Sequence, residues 1–206
     1  MASKLTAETF FNYVKHRRTI YPLTKNLGSV TTARVQELVK ESTLHTPSSF
    51  NSQSNRLLVL FGADHDKLWD ITRSTLKAIV PESSWQQTAD RIAGFAGAAG
   101  TVLFFDDEPT VQGMQAQFPP FADKFPLWAS QSNSIQQWIL WTALEVEGLG
   151  CNLQHYNPLI DEQVAAEWKV PATWKLNAQL VFGGKAGEAG DKEFKPIEER
   201  VKVFGA

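Results

Sequence analysis

The spacing of apolar and polar residues divides the chain into amphipathic helices and short buried strands. Phe10 and Val14 lie one helical turn apart, and the cations Arg17 and Arg18 continue the same face. Residues that recur at spacings of three and four are typical of one side of a helix. The pattern therefore predicts an opening helix over residues 6–18, with an apolar stripe that ends in two cations.

The same spacing predicts further helices along the chain, over residues 31–44, 64–79, 85–96, 107–118 and 132–149. Thr31 or Thr32 is placed to cap the first of these. Pro119, Pro120 and Pro126 indicate a loop before the last. That last helix is apolar nearly all round, so we expect other parts of a large core, or a second subunit, to cover it on several sides.

Three short apolar runs indicate strands that are buried on both faces. They comprise residues 57–61, 102–105 and 178–182, and each is followed by glycine or aspartate. Runs of this length between turn-forming residues favour strands over helices. Helices alternating with a few buried strands predict an α/β or α+β sandwich around one sheet. Because no linker or repeat interrupts the pattern, we expect a single domain over residues 1–206.

The composition is that of a folded globular protein and argues against some partners. Of the 206 residues, 43% are hydrophobic and 20% are charged, and the formal net charge is −2. General binding of nucleic acid needs clustered positive charge, so we expect no nucleic-acid partner. We see no secretory signal and no apolar window long enough to span a bilayer. We therefore expect no membrane partner and a cytoplasmic protein, with an additional nuclear location left open.

Sequence patterns typical of metal or nucleophilic chemistry are missing. The four histidines form no HxxxH or HExxH pair, so we expect no metal site. GxSxG, a Walker A loop and a GxGxxG after a strand are also not found, which disfavours serine hydrolases, P-loop proteins and Rossmann enzymes. The single cysteine, Cys151, agrees with a reducing compartment, and a small buried residue is favoured over a nucleophile.

Three polar clusters remain, separated by most of the chain. They are residues 16–19 (His-Arg-Arg-Thr), residues 47–53 (Pro-Ser-Ser-Phe-Asn-Ser-Gln) and the tail from Lys185 to Lys195. Taken singly, the first is explained by a basic helix end that complements the macrodipole, and the second by an ordinary turn. Together they suit a phosphate-bearing ring cofactor, because arginines, a hydroxyl and a lysine bind phosphate oxygens. Serine, asparagine and backbone amides suit the carbonyl edge of a flavin.

The order of these motifs resembles the nitroreductase family over nearly the whole chain. The shared motifs are an opening helix that ends in Arg-Arg-Thr, a Pro-Ser-Ser-x-Asn-x-Gln loop before a buried strand, a long apolar helix that ends in Gly-Leu-Gly, and a strand followed by glycine and a basic tail. Arg17–Tyr21 and Glu147–Gly150 are most similar to a short fungal and bacterial branch of that family, which is linked to fatty acids and stress.

The resemblance implies an α+β fold, a three-layer α/β/α sandwich around a central mixed, mainly antiparallel sheet. It also implies a homodimer with two FMN sites at the subunit interface. Carried over by position, Arg17 and Thr19 would bind the FMN phosphate, with Arg18 beside them. Lys192 or Lys195 would reach the same phosphate from the tail.

The resemblance also implies which residues surround the flavin ring and what the site does. Two groups would meet the ring: Ser48, Ser49 and Asn51 from the other subunit, and Leu153, Gln154 and His155 near its reactive nitrogen. Family members take hydride from NADH or NADPH and then reduce a nitroaromatic or quinone-type substrate in the same place, by a ping-pong sequence. Because the cofactor supplies this chemistry, we expect no side chain to act as a catalytic acid or nucleophile.

Two departures from the family pattern leave the activity open. Tyr21 stands where many relatives have a basic residue near the flavin pyrimidine, and Lys25 is a candidate replacement. Gln53 is followed by Ser54 and Asn55, where relatives often have Pro-Trp. An alternative function is therefore a flavin-binding stress or regulatory protein with little turnover. A third is a helical scaffold that associates through its tryptophan-rich helix, which predicts a dimer without flavin.

Overall fold

A five-stranded sheet forms the centre of the fold in the computed structural model, which describes residues 6–206. The strands of the described part are β1 (Leu23–Thr24), β2 (Asn55–Phe61), β3 (Gly100–Asp107), β4 (Gly150–Gln154) and β5 (Trp174–Lys185). β3 and β5 pair in the middle, and β2 lies on the outer side of β3. β4 and β1 pair with the other side of β5. These pairs are all antiparallel, and a parallel bridge between Thr19 and Cys151 adds the predicted mixed character.

Seven helices lie around this sheet within residues 6–206. They are α1 (Ala7–His16), α2 (Thr32–His45), α3 (Gly62–Lys77), α4 (Glu82–Ala96), α5 (Glu108–Gln117), α6 (Phe125–Val146) and α7 (Asp161–Trp168). The predicted cap of α2 is confirmed, because the Thr31 hydroxyl accepts the Arg34 N–H at 3.1 Å. All of these helices except α7 lie where the apolar spacing predicts a helix.

The two faces of the sheet pack into two separate cores. Successive strand side chains point to opposite faces, so Val102 and Phe104 of β3 enter one core while Leu103 and Phe105 enter the other. The first core is shared with α2 and α6, and the second with α3, α4 and α7. The predicted three-layer α/β/α sandwich with a central, mainly antiparallel sheet is therefore confirmed.

The longest helix, α6, begins earlier than the sequence pattern indicates. Pro126, which we predicted to lie in a loop, is in the first turn of α6, and that part of the prediction is wrong. Proline is tolerated there because the first helical N–H groups have no intrahelical partner. Pro119 and Pro120 begin a short 3₁₀ helix, Pro119–Lys124. Even with α6 at this length, no helix within residues 6–206 could cross a membrane.

Among the strands and α-helices of residues 6–206, β1, β4 and α7 were not predicted. β4 alternates apolar residues with Asn152 and Gln154, so it forms no apolar run. β1 has only two residues and approaches the end of β5 closely because Gly183 and Gly184 have no side chains. A Cβ on either glycine would collide with the main chain of β1 or of Asn26 just after it.

Candidate active site

The end of α1 lies against β4, although most of the chain separates them in sequence. Thr19 forms the parallel bridge to Cys151, and the Ile20 main-chain N–H donates to the Cys151 carbonyl at 2.9 Å. The Asn152 side-chain amide donates to the Ile20 carbonyl at 3.0 Å. The structure thus brings the residues predicted to bind phosphate next to the strand that ends in the segment predicted to lie along the ring.

A buried carboxylate from α6 fixes the turn between α1 and this bridge. Both carboxylate oxygens of Glu145 accept the Arg18 main-chain N–H, at 3.1 and 3.2 Å, and Oε1 also accepts the Trp141 indole N–H at 2.7 Å. Desolvation raises the pKa of Glu145 above its ordinary value, while these N–H donors and the charges of Lys185 and Arg17 act against that rise. Neither Glu145 nor Lys185 was predicted as a site residue.

Arg17 has hydrogen-bonding capacity that the described part of the chain does not use. Its guanidinium lies over the Trp141 ring, 4.4 Å from the ring centroid. Its Nε is buried and has no hydrogen-bond partner within residues 6–206. A buried N–H donor without a partner is costly, so this group fits an anion such as a phosphate, with the Thr19 hydroxyl two residues further on.

The tail after β5 passes the end of α1, but Lys192 and Lys195 do not contact that end. Arg18 donates from Nη2 to the carbonyl of Gly190, which fixes the tail beside this turn. The Lys192 ammonium lies over the Phe194 ring at 5.1 Å, and Lys195 is exposed. A phosphate role for Lys192 or Lys195 therefore stays a prediction. The lysine whose positive charge acts on the buried Glu145 carboxylate is Lys185, the last residue of β5.

The loop that contains Ser48, Ser49 and Asn51 has an unusual backbone. Phe50, Asn51 and Gln53 have φ values of 55°, 54° and 50°. Residues other than glycine rarely adopt this left-handed backbone conformation. Backbone strain of this kind is often found at functional sites. The Ser48 hydroxyl supports the loop by accepting the Gln53 N–H at 3.0 Å.

This loop lies at the opposite end of α6 from residues 17–20, which follow α1 and which we call the Arg17 turn. Ser132 donates from Oγ to the Pro47 carbonyl at 2.8 Å, which ties the loop to α6 near Ser132. A rise of 1.5 Å per residue places Ser132 roughly 20 Å from Glu145 along the helix. Within one chain, Ser48, Ser49 and Asn51 therefore do not meet the residues around Arg17.

An open cleft of about 500 Å³ lies beside the end of β4. Six residues line it: Tyr21, Asp90, Arg91, Gly94, Phe95 and Gln154. Gln154 is thus at a cavity wall, Leu153 is half-buried and His155 is exposed, and their role along the ring stays a prediction. Arg91 was not predicted, because in the sequence it is a charged residue on the polar side of α4 and belongs to no motif.

Lys25 does not reach the cleft in place of Tyr21. Its ammonium pairs with both carboxylate oxygens of Asp66 on α3, at 2.7 Å. The cation that lines the cleft with Tyr21 is Arg91. The suggested replacement by Lys25 is therefore not supported, and Arg91 takes its place as the candidate.

Five aromatic rings gather around the strained loop; we call them the aromatic cluster. The ring centroids of Phe50 and Phe118 are 4.6 Å apart, and the Phe50 and Trp128 rings are stacked at 6.1 Å. Phe121 and Phe125 complete the group. Phe50 and Phe121 are exposed, so the cluster presents an aromatic surface directly beside Ser49.

A second apolar surface lies between α1, α2 and α6; we call it the apolar groove. Phe10, Tyr13, Leu38, Trp138 and Val146 are among its lining residues, and its volume is about 420 Å³. Phe10 and Val146 are 51% and 50% exposed. Exposed apolar patches of this kind often mark interaction sites.

Neither the cysteine nor any group of potential metal ligands within residues 6–206 indicates further chemistry. Cys151 is fully buried in β4, and burial raises the pKa of its thiol well above the ordinary value. Its reactive thiolate form is therefore rare. Residues 6–206 contain no group of three or more His, Cys, Asp or Glu residues that could hold a metal ion.

The sequence model of the nitroreductase family matches residues 14–184, which include the Arg17 turn, β4 and nearly all of β5. The chain belongs to the nitroreductase family. The resemblance seen in the motifs is therefore confirmed, and membership in this family supports oxidoreductase activity.

Two individual nitroreductases are similar to this chain over almost its full length. Nitroreductase FRM2 from Saccharomyces cerevisiae is 34% identical, over 95% of this chain and 96% of its own. Nitroreductase CinD from Lactococcus lactis, in complex with chloramphenicol, is 44% identical with a TM-score of 0.87, over 95% of this chain and all of its own. CinD was also solved in complex with 4-nitrophenol.

A more distant nitroreductase shares the fold. A protein from Desulfovibrio desulfuricans, solved in complex with FMN, is 19% identical with a TM-score of 0.67, and the alignment covers 97% of this chain and all of that chain. At this identity the likeness establishes the three-layer architecture alone.

Proposed function

We propose that the protein is an FMN-dependent NAD(P)H oxidoreductase that reduces nitroaromatic or quinone-type substrates. The observation that supports this most directly is the meeting of the Arg17 turn with β4 beside an open cleft. Residues far apart in sequence there combine a cationic donor that has no partner within residues 6–206, a hydroxyl and a space large enough for a ring.

The phosphate of FMN would bind at the Arg17 turn. Within residues 6–206 the buried Nε of Arg17 has no acceptor, and the Thr19 hydroxyl follows it at the bridge to β4. Lys185 adds positive charge near the same turn, and Lys192 or Lys195 could do so if the tail moves. Arginine suits this role because its planar fork matches phosphate oxygens.

The flavin ring would extend from this turn towards the cleft. Leu153, Gln154 and His155 would lie along it, and Tyr21 and Arg91 would face its pyrimidine end. The guanidinium of Arg91 would then supply the positive charge that many relatives have at the position of Tyr21. A cation beside the pyrimidine stabilises the negative charge that develops on reduction.

A second copy of the chain would complete the site. Ser48, Ser49 and Asn51 are attached to α6 roughly 20 Å along the helix from Glu145, so we propose that they reach the flavin of another subunit. The apolar groove offers a surface through which two copies could associate, because it exposes aromatic and aliphatic side chains of α1 and α6. We therefore propose a homodimer with residues of both subunits at each flavin.

The aromatic cluster would provide one wall for the acceptor. Exposed Phe50 and Phe121 offer faces on which a flat ring can stack, next to the serines expected at the flavin. CinD binds two nitroaromatic compounds, chloramphenicol and 4-nitrophenol, which agrees with an aromatic acceptor. Bound FMN supplies the redox chemistry, accepting hydride from NADH or NADPH and passing it to the acceptor.

The visible absorption spectrum of the purified protein tests this proposal. Protein purified with added FMN should be yellow, should lose its flavin absorbance under anaerobic NADH or NADPH, and should regain it with 4-nitrophenol or a quinone. Protein that binds no FMN contradicts the proposal. Flavin that binds tightly but bleaches slowly would support the alternative of a stress or regulatory protein, which the departure at Tyr21 leaves open.

A further inference from the structure

The contacts of Glu145 are unusual for a residue in the last turn of an apolar helix. Its side chain is 2% exposed, and its acceptors are occupied by the Arg18 main-chain N–H and the Trp141 indole N–H. A buried carboxylate is costly to desolvate, even when it is fully hydrogen-bonded. An apolar residue would suit the helix better, so the carboxylate is best explained by what it holds in place.

Both groups that donate hydrogen bonds to Glu145 belong to residues that adjoin Arg17. Arg18 follows it directly in sequence, so the bond to the Arg18 N–H fixes the backbone on which the Arg17 side chain starts. Trp141 lies under the other end of that side chain, with its ring 4.4 Å from the guanidinium carbon. The backbone and the guanidinium of Arg17 are therefore both held through one carboxylate.

This arrangement leaves the guanidinium free to bind an anion. A cation–π contact uses the face of the guanidinium and none of its N–H donors, which lie in its plane. The Nε of Arg17 has no partner within residues 6–206, in keeping with donors kept available. An ion pair with Glu145 would instead have occupied that fork.

We infer that Glu145, acting through Trp141 and the Arg18 N–H, is a positioning residue that holds Arg17 ready for the phosphate of the cofactor. The inference rests on the proposed function, since it takes FMN as the ligand. It predicts an effect confined to the phosphate, because neither Glu145 nor Trp141 contacts the expected place of the ring. Riboflavin has the same ring without the phosphate and is therefore the discriminating probe.

The test compares FMN and riboflavin affinities, by fluorescence titration of the flavin-free protein, in Glu145→Gln and Trp141→Phe. Glu145→Gln replaces one acceptor oxygen by a donor, and Trp141→Phe removes the indole N–H while keeping a ring beside Arg17. Two matched controls change the same residue types elsewhere. Glu167→Gln removes a surface partner of Lys67, and Trp85→Phe alters a ring beneath Lys77.

In both test variants we expect FMN affinity to fall about tenfold while riboflavin affinity stays unchanged, since a hydrogen bond to a charged group contributes roughly 1.5 kcal/mol or more. The controls should keep the wild-type ratio of FMN to riboflavin affinity. If Glu145→Gln does not fold, the Trp141→Phe variant alone tests whether Arg17 is positioned in this way.

Two results would overturn the inference while leaving the proposed function intact. In the first, the variants keep the full wild-type preference for FMN. In the second, FMN and riboflavin affinities fall by the same factor, which is the mark of a general structural role. A wild-type protein that binds neither flavin would instead overturn the proposed function and the inference together.

Discussion

At the scale of single residues, the Arg17 guanidinium is the group whose removal tests the phosphate site most directly. Arg17→Ala should weaken FMN binding by about 2 kcal/mol or more, because breaking a buried charge-assisted contact costs roughly 2 to 5 kcal/mol. Titration of the flavin-free protein with FMN measures this change. Arg73→Ala on the exposed side of α3 is the control and should leave the affinity unchanged. Equal FMN affinity in the two variants would rule out the phosphate role.

His65 is expected to make the stability of the fold depend on pH. It is fully buried, with Nδ1 3.0 Å from the Thr101 hydroxyl, and desolvation lowers its pKa below the ordinary 6.5. Below pH 6.5 the unfolded chain binds this proton more readily than the folded one. Stability is therefore fully present above that pH and is lost as the pH falls towards the folded pKa.

Urea unfolding of wild type and His65→Gln at pH 7.5 and pH 5.5 measures this effect. The wild type should lose more stability than the variant on acidification. The comparison is needed because burial raises the pKa of Asp106 and of Glu145, and these carboxyls act in the opposite direction as the pH falls. Identical pH dependence in the two proteins would show that His65 does not contribute.

Single residues also mark the limit of sequence-based prediction at this site. Arg17, Thr19 and Gln154 could be proposed because motifs name them. Glu145 could not, since within an apolar helix it reads as an interruption, and its partner Arg18 is far away in sequence. Contacts of this kind depend on how elements pack, which a local pattern does not contain.

At the scale of elements, the loop between α2 and β2 should gain stability from glycine. Gln53 has a φ of 50°, where a side chain costs roughly 1 to 2 kcal/mol. Gln53→Gly should therefore be more stable than Gln53→Ala by about 1 kcal/mol, as measured by urea unfolding. The same pair at Gln86, within helix α4, should show the reverse order. An alanine variant at position 53 as stable as the glycine variant would contradict the described backbone.

The elements that were predicted correctly are those with a continuous apolar pattern. β2, β3 and β5 each contain an apolar run, and most helices have a clear periodicity. β4 was missed because it buries Asn152, whose side-chain NH2 donates to the carbonyl of a distant residue, Ile20, while its Oδ1 accepts from Gln154. The family resemblance implies that Leu153, Gln154 and His155, at the end of this strand, lie along the flavin ring, and that assignment stays a prediction.

At the scale of the whole molecule, assembly and cofactor binding should fail together. Phe10→Glu places a charge in the apolar groove and should dissociate the proposed homodimer, because burying an unpaired carboxylate is costly. Analytical ultracentrifugation would detect the monomer, and FMN titration should show loss of binding because Ser48, Ser49 and Asn51 no longer reach the flavin.

Ile79→Glu is the matched control for that experiment. Ile79 is 58% exposed but lies just beyond α3, on the opposite face of the sheet from the groove. The control should remain dimeric and should bind FMN as the wild type does. A monomeric Phe10→Glu protein with full FMN affinity would show that one chain makes the whole site.

The single cysteine can report on motions at the junction of the proposed site, where Thr19 and Ile20 pair with β4. Cys151 lies in the interior where Ile20 pairs with it, so a thiol-specific reagent can attack only when this junction opens. The rate of labelling therefore measures how often the junction separates from the sheet, without any engineered probe. A ligand that binds across it should slow that rate in proportion to the opening it prevents.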